Sequence, residues 1–391
     1  MFVGAIMRIA YTPLLVLAFC ARLHGQGFVN TFGGQRAEFA SGAAPHNSGF
    51  IAGTTRSISE GSGHQAGILV VDGSGNFPAW EPVPGLSGRS FMQAVASAAD
   101  GGSYMAGSMI APGSGTHDGF VARFSSTGAL LWLAQPQISG DEQFFAVHAL
   151  PDGGCIAAGV RSSGQGLGHD ALITRFGPDG SQQWSTPIDE FSDIEAHAIA
   201  VQGNDVMLTG RQQNFGGTSD AWIARLDLDG AVAWTSSWGG VRNETGRAIM
   251  AIGPGAFLLA GTTNSDVPLD ITENRRKDHV YLVAFDLNGD SLWTRAIGDT
   301  LFDRRAFALD AAPNGDLLIA GERSATSGAS DAFAYRLSPS GAFIWERAWD
   351  TGDEERLLSI RALPDGLISA GWSFGAASHQ VLLLRRDPNG N

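Results

Sequence analysis

Lysine is almost missing from this 391-residue chain: Lys277 is the only one, and arginine supplies the rest of the 25 basic residues. Against 39 acids they leave a formal charge of −14. A surface of that sign argues against nucleic acid or anionic lipid as partner, since both require a basic face. Cysteine is nearly as scarce, with only Cys20 and Cys155. Cys155 lies in a segment expected to be a buried strand, and Cys20 lies near the front of the chain. An exported protein left with one thiol has no intrachain disulfide, so packing must carry its stability.

Long apolar runs are also missing, with one exception. "IAYTPLLVLAF" follows Arg8, has the length of a signal-peptide core, and is short for a bilayer span; "CARLHGQG" behind it offers small residues for cleavage. Residues 1–25 are therefore expected to be a secretory signal, with Met7 a second candidate start. Residues 26–391 are expected to be one mature domain, a monomer in the periplasm, on the cell surface or outside the cell. Loss of 1–25 removes Arg8 and Arg22 and no acid, which takes the charge from −14 to −16. Acylation at Cys20 is the lesser reading, because Phe19 stands where such sites need a small residue. No second span occurs, and no helical period competes with the strand pattern.

What the chain has in plenty is glycine, 53 residues, and a repeat. "DGGCIAAGVRSSGQGLGHDALITRFGPDGSQQW" (152–184) recurs in altered form at 100–132, 203–234 and 314–345. One glycine marks each copy: Gly53, Gly107, Gly159, Gly210, Gly261, Gly321 and Gly371, at spacings of 50 to 60 residues. Each copy holds four short strand signals separated by turns such as "PDGG" and "GPDG". Four antiparallel strands repeated at this period predict an all-β, seven-bladed propeller; a sandwich has no reason to repeat at a fixed period.

The second turn of each copy leads into a tryptophan: "SSTGALLW", "GPDGSQQW", "DLDGAVAW", "DLNGDSLW", "SPSGAFIW". Trp132, Trp184, Trp234, Trp293 and Trp345 thus share one register, suited to wedging between blades. Trp80 joins them with one extra residue before it, which suggests a bulge. Copy seven stops at "RRDPNGN" without such a strand, whereas "GFVNTFGG" (27–34) has its form, with Phe28 in the tryptophan position. The N-terminal strand is expected to complete the last blade and close the ring, leaving no open sheet edge.

The pattern "DGG…AG", then "D-A-x-[IA]-x-R-[LF]", "D-x-[DN]-G-x-x-x-W" and "WGG", resembles the secreted bacterial and archaeal propeller-repeat proteins across roughly residues 27–391. Its turn-and-tryptophan element is also similar to the docking motif of quinoprotein dehydrogenases and to the sialidase Asp-box. The resemblance implies a fold and an exported location, not a reaction.

In a propeller of this kind the turns after strands one and three share one face, and the longer, variable loops share the other, where binding usually resides. On that variable face Glu142, Asp193, Glu244, Asp303 and Glu355 fall at nearly one offset before their marker glycines. They are expected near the mouth of the central channel, as a cation site that leaves room for calcium or as acids tied to nearby backbone N–H groups. A second series, Asp118, Asp170, Asp220, Asp278 and Asp331, precedes strand three and is expected to be structural. The loop "TTNSDVPLDITENRRKDH" of copy five is roughly ten residues longer than its counterparts and carries Arg275, Arg276 and Lys277, a candidate partner contact. Asp310 and Arg361 are expected to pair between blades, and His148 to be a satisfied buried histidine. No Ser/His/Asp, H-E-x-x-H, Cys/His or phosphate-loop motif is present, so no catalytic residue and no cofactor is assigned. The expected function is a binding module for a protein or carbohydrate. The alternatives are a lactonase-, glycosidase- or quinoprotein-type enzyme with a metal-assisted site at the channel mouth, and a purely structural repeat.

Overall fold

The computed structural model describes residues 28–391 apart from 34–35, 47–48, 60–62, 77–79, 137, 139, 163–167, 191, 266, 326–327 and 375–377. Residues 1–25, where a signal segment is expected, lie outside the described residues, Cys20 among them. The chain forms seven four-stranded antiparallel sheets, set as the blades of a β-propeller. In blades 1 to 6 the strands run in sequence order from the axis outward. Their innermost strands are Glu38–His46, Arg89–Ser97, Asp141–Ala149, Ile194–Gln202, Glu244–Gly253 and Asp303–Ala311. Blade 7 takes its three inner strands from the C-terminal end, starting with Glu354–Leu363, and its outermost strand from Phe28–Phe32. That strand pairs antiparallel with His379–Arg386, Phe28 opposite Arg385 and Phe32 opposite Val381.

Burial explains why the sheets assemble as a ring. The buried apolar side chains fall into seven clusters, one at each blade junction. No blade has a core of its own; each buries its faces only against its neighbours. The junction of blades 7 and 1 contains Phe28 and Phe32 together with Ala43, Leu69, Ile368 and Leu383.

The tryptophan register works across these junctions. Trp132, Trp184 and Trp234 donate their indole N–H to the carbonyls of Pro178, Leu228 and Leu287 in the next blade, at 2.9, 2.9 and 3.0 Å. Each ring lies against the glycine of the next blade's turn. A Cβ on Gly180, Gly230, Gly289, Gly341 or Gly390 would stand 2.8 to 3.3 Å from the preceding blade's tryptophan, and all five glycines have positive φ. Phe28 meets Gly75 of blade 1 in the same way, at 3.1 Å, and Asn30 donates to Gly75 O at 2.9 Å. Trp80 departs from the pattern: its indole N–H is taken by Thr54 Oγ1 of its own blade, at 2.8 Å. The bulge expected before it lies at 77–79, outside the described residues.

Closure by the N-terminal strand gives a direct test. Phe28→Ala should lose about 3–5 kcal/mol in denaturant unfolding, as for a buried aromatic truncated at a packed junction, and deletion of residues 26–34 should lower the melting temperature further still. A deletion variant that melts with the full-length protein would rule this closure out.

Candidate functional site

Every innermost strand carries a β-bulge at the same level. The unpaired residues are Ser41, Gln93, Phe145, His197, Arg247, Phe307 and Leu358. A bulge leaves one residue without a partner and turns it out of the ladder, and here all seven line one cavity on the axis, of about 450 Å³. The marker glycines explain the bulge. A Cβ on Gly107, Gly159, Gly210, Gly261, Gly321 or Gly371 would stand 1.7 to 2.0 Å from the inner-strand carbonyl two residues before the bulge. Only glycine admits that approach. Gly53 differs, its Cβ direction filled by Val95 and Met92 of blade 2.

Two residues before the bulges, and largely outside the cavity lining, the inner strands and their neighbours carry a chemically lopsided set. Around blades 7 to 4 run half-buried aromatic groups: Phe39 against His379 (4.4 Å) and Trp372 (6.3 Å), Phe91 between His64 (5.2 Å) and His117 (6.3 Å), and Phe145 beside His197 (6.0 Å). From blade 4 to blade 7 runs a line of charges. Glu195 accepts from Arg211 (2.7 Å) and from His197 (2.9 Å), and its pKa falls to about 2, chiefly through the histidine contact. Arg305 bridges Asp278 (2.7 Å) and Glu322 (3.1 Å), and Arg356 donates to the other oxygen of Glu322 at 2.6 Å. The Arg356 guanidinium lies over the rings of Phe307 and Trp372, at 5.0 and 5.1 Å. Arg247 projects into the cavity between these groups; burial pulls its pKa down.

The acids singled out in the sequence sit elsewhere. Glu142, Glu244, Asp303 and Glu355 are buried, Asp193 is half-buried, and none of the five lines the axial cavity. They occupy the blade junctions, where the strand-three series comes to meet them. Asp118 lies close enough to Glu142 to raise its pKa, Asp278 N–H donates to Asp303 at 2.8 Å, and Asp331 stands beside Glu355. Their charges are handled differently from blade to blade. Asp303 is held by Arg275 through both oxygens, at 2.9 and 2.5 Å. Glu244 accepts from Thr263 Oγ1 (2.6 Å) and Gly240 N–H (2.7 Å), and Asp193 from His169 N–H (3.0 Å). Asp331, Asp350 and Glu355 each bring one carboxylate oxygen within 4.8 Å of the others; Asp331 is also paired with Arg323 (3.0 Å), and Glu355 Oε2 is buried without a hydrogen-bond partner.

The long loop of blade 5 spends most of its charge on itself. Its two short strands, Leu269–Asp270 and Arg275–Arg276, pair through a turn in which Asn274 takes a positive φ of 51°. Lys277 is fully buried with its Nζ 2.8 Å from Glu273. Arg275 binds Glu273 and Asp303, which leaves Arg276 as the loop's half-exposed cation. Asp310 does not pair with Arg361: its Oδ2 accepts the Ala362 backbone N–H of blade 7 at 2.8 Å, a junction contact of another kind. His148 is held neutral, its pKa lowered to about 4 by burial and by the charge of Arg361.

The bulge ring escaped the sequence reading, although it leaves a trace. The residue after each bulge is small in all seven blades: Gly42, Ala94, Ala146, Ala198, Ala248, Ala308 and Ser359. A position that varies freely next to one that stays small was the available signal.

Glu142 generates a pH prediction. Burial, then the charges of Asp118 and Asp141, raise its pKa from 4.5 to about 7, and its Oε1 has no hydrogen-bond partner. The folded state therefore binds this proton more tightly than the unfolded chain does, and the stability so gained is complete below about pH 4.5 and lost as pH rises through 7. Glu142→Gln should remove that fall, raising stability at pH 8 by up to about 3 kcal/mol relative to wild type while changing little at pH 4.5. Urea midpoints at the two pH values measure it; equal pH slopes in both proteins would contradict it.

No protein-family model matches the chain, and no curated protein matches it in sequence. Solved structures resemble it in fold. The WD40 domain of Neurospora crassa Pan2 superposes with a TM-score of 0.53 at 10% identity, over 89% of both chains. A Dyadobacter fermentans protein of unknown function gives 0.53 at 9% identity, over 93% of this chain and 98% of that one. An α-L-arabinofuranosidase from Fusarium graminearum, solved with an iminosugar inhibitor, gives 0.51 at 10% identity, over 75% of this chain and 92% of that one. At such identities the likeness is one of fold alone.

Proposed function

We propose that this protein is an exported binding module whose ligand seats over the mouth of the central channel, on the variable-loop face. One observation carries the reading. The repeat keeps glycine and tryptophan at the positions that build the ring, yet the seven equivalent bulge positions hold seven side chains of which only two are alike. Packing needs would repeat with the fold; chemistry that differs from blade to blade on one cavity is what recognition of an asymmetric ligand requires. Phe39, Phe91 and Trp372 offer ring faces, and Arg305 and Arg356 offer charged donors, a pairing that suits a protein segment or a glycan. The signal-like segment at 1–25 and the resemblance to secreted propeller repeats support export.

The test is binding of the labelled mature protein to arrays of purified glycans and envelope proteins. Signals should fall at least about tenfold when Phe91 and Trp372 are changed to alanine and stay unchanged when Asp179 and Asp229, on the tight-turn face, are changed. The opposite pattern would place the site on the other face.

Calcium has its best candidate, among the described residues, at Asp331, Asp350 and Glu355, where a buried and unpartnered carboxylate oxygen meets two further acids. Millimolar Ca²⁺ should raise the melting temperature of the wild type and leave Glu355→Gln unmoved. No shift in the wild type would mean that the cluster holds protons rather than a metal.

A further inference from the structure

The axial cavity is positively biased in a molecule whose net charge is −14. Its lining includes one carboxylate, Glu195, and both oxygens of that group are engaged, by Arg211 and His197. Two guanidiniums line the same cavity. Arg247 makes no hydrogen bond or ion pair with any described residue, and its side chain is exposed on the cavity wall. Arg361 is only slightly better served: its Nη1 donates to the Ile360 carbonyl of its own strand (3.2 Å), while Asp310 is committed to the Ala362 N–H. The amide of Gln93 also faces the cavity without a partner among the described residues. Glu195 is the strongest charge acting on Arg247, and Arg211, Arg305 and Arg356 act on it with its own sign.

A guanidinium set among like charges, whose one nearby carboxylate is already shared by Arg211 and His197, is stabilised by any anion that fits beside it. The remaining walls decide which anion. Phe145 and Phe307 stand at the bulge level, and Ala146, Ile199, Ile249 and Leu309 close the sides, so the cavity accepts an apolar or ring-shaped body. Its volume of about 450 Å³ lies within the range of small-molecule pockets. One unpaired guanidinium, with Arg361 and Gln93 on other parts of the cavity lining, matches a monoanion presenting two oxygens to a planar fork; a phosphate dianion would call for a denser set of donors than this wall presents.

We infer that the channel binds a small ring compound bearing one carboxylate, the carboxylate paired with Arg247 and the ring against Phe145 and Phe307. This deepens the binding reading and rests on it: the compound is either the ligand itself or the end group of a larger one that covers the mouth. Ring carboxylates have two common sources, aromatic acids and uronic sugars, and the experiment separates them.

Calorimetry and thermal shift on the full mature protein would use benzoate and glucuronate, each against its neutral counterpart, benzyl alcohol and glucose, with acetate and chloride as controls. One of the two acids should bind at millimolar concentration or tighter while its neutral counterpart does not, and which acid binds names the source. Arg247→Gln should weaken that acid about tenfold or more, Arg247→Lys should restore part of the loss, and Arg361→Gln should give a smaller loss. The melting temperature of each unliganded variant, matched to wild type, shows that the fold is intact. Equal binding of acid and neutral partner, equal shifts by acetate or chloride, no effect of Arg247→Gln, or no binding by either acid would each overturn the assignment. Array binding that still depends on Phe91 and Trp372 in that event would leave the broader binding reading in place, so the two fail separately.

Discussion

In six of the seven blades a carbonyl oxygen of the innermost strand comes so close to the second strand that a Cβ there would stand at most 2.0 Å from it. No side chain fits at that distance, so the second strand must carry glycine, and the carbonyl reaches that point because the inner strand is bulged just beyond it. The bulge in turn throws one residue per blade onto the axis. A backbone contact thus fixes where the channel lining comes from without fixing what it is. The glycine is constrained; the bulged residue, with no partner across the ladder, is free to differ from blade to blade.

Arginine's dominance over lysine follows from how the blades meet. Carboxylates arrive at the junctions in pairs, one from strand three of one blade and one from the first strand of the next, and leaving both charged and unshared would be costly. A planar guanidinium can hold one member of such a pair and a second acid on a neighbouring element at once, which an ammonium does less well. Arg305 spans Asp278 and Glu322, Arg275 spans Glu273 and Asp303, and Arg323 spans Asp331 and Glu346. At Glu142 burial and the neighbouring acids outweigh the charge of Arg161 and raise the carboxyl pKa, and at Glu355 burial does so against the hydrogen bonds from Thr351. Lys277 fits the same logic from the other side, since it serves as a buried internal counter-ion for one loop.

The fold was legible because its determinants repeat. Seven marker glycines, a turn that ends on a tryptophan, and a terminal strand with the same form as the missing one specify blade number, strand order and closure, and the structure places Phe28 on Gly75 just as the tryptophans sit on their own turn glycines. The acid register was legible as a pattern but not as a place. Sequence offset puts Glu142 or Glu355 at the start of an inner strand, but alternation then decides which way the side chain points, and here it points into the junction. The channel ring was hidden for a related reason. Its residues share neither chemistry nor charge, so no motif search finds them, and the bulge that aligns them changes the count along the strand by one residue.

Repetition also separates two kinds of polar group in this molecule. A side chain that recurs from blade to blade is answerable to a contact that recurs, as the Asp227, Asp286 and Asp387 carboxylates show by each accepting two backbone N–H groups of their own turns. Such groups are spent. Gln93 and Arg247 on the axis break the symmetry and make no hydrogen bond with a described residue, although Trp345 and Asp220, members of recurring registers, also keep an unpartnered atom. Gln93 and Arg247 are exposed to the channel, where water serves them, so a ligand that displaces that water has to replace its hydrogen bonds. These departures from the repeat mark where something other than the blades themselves sets the chemistry.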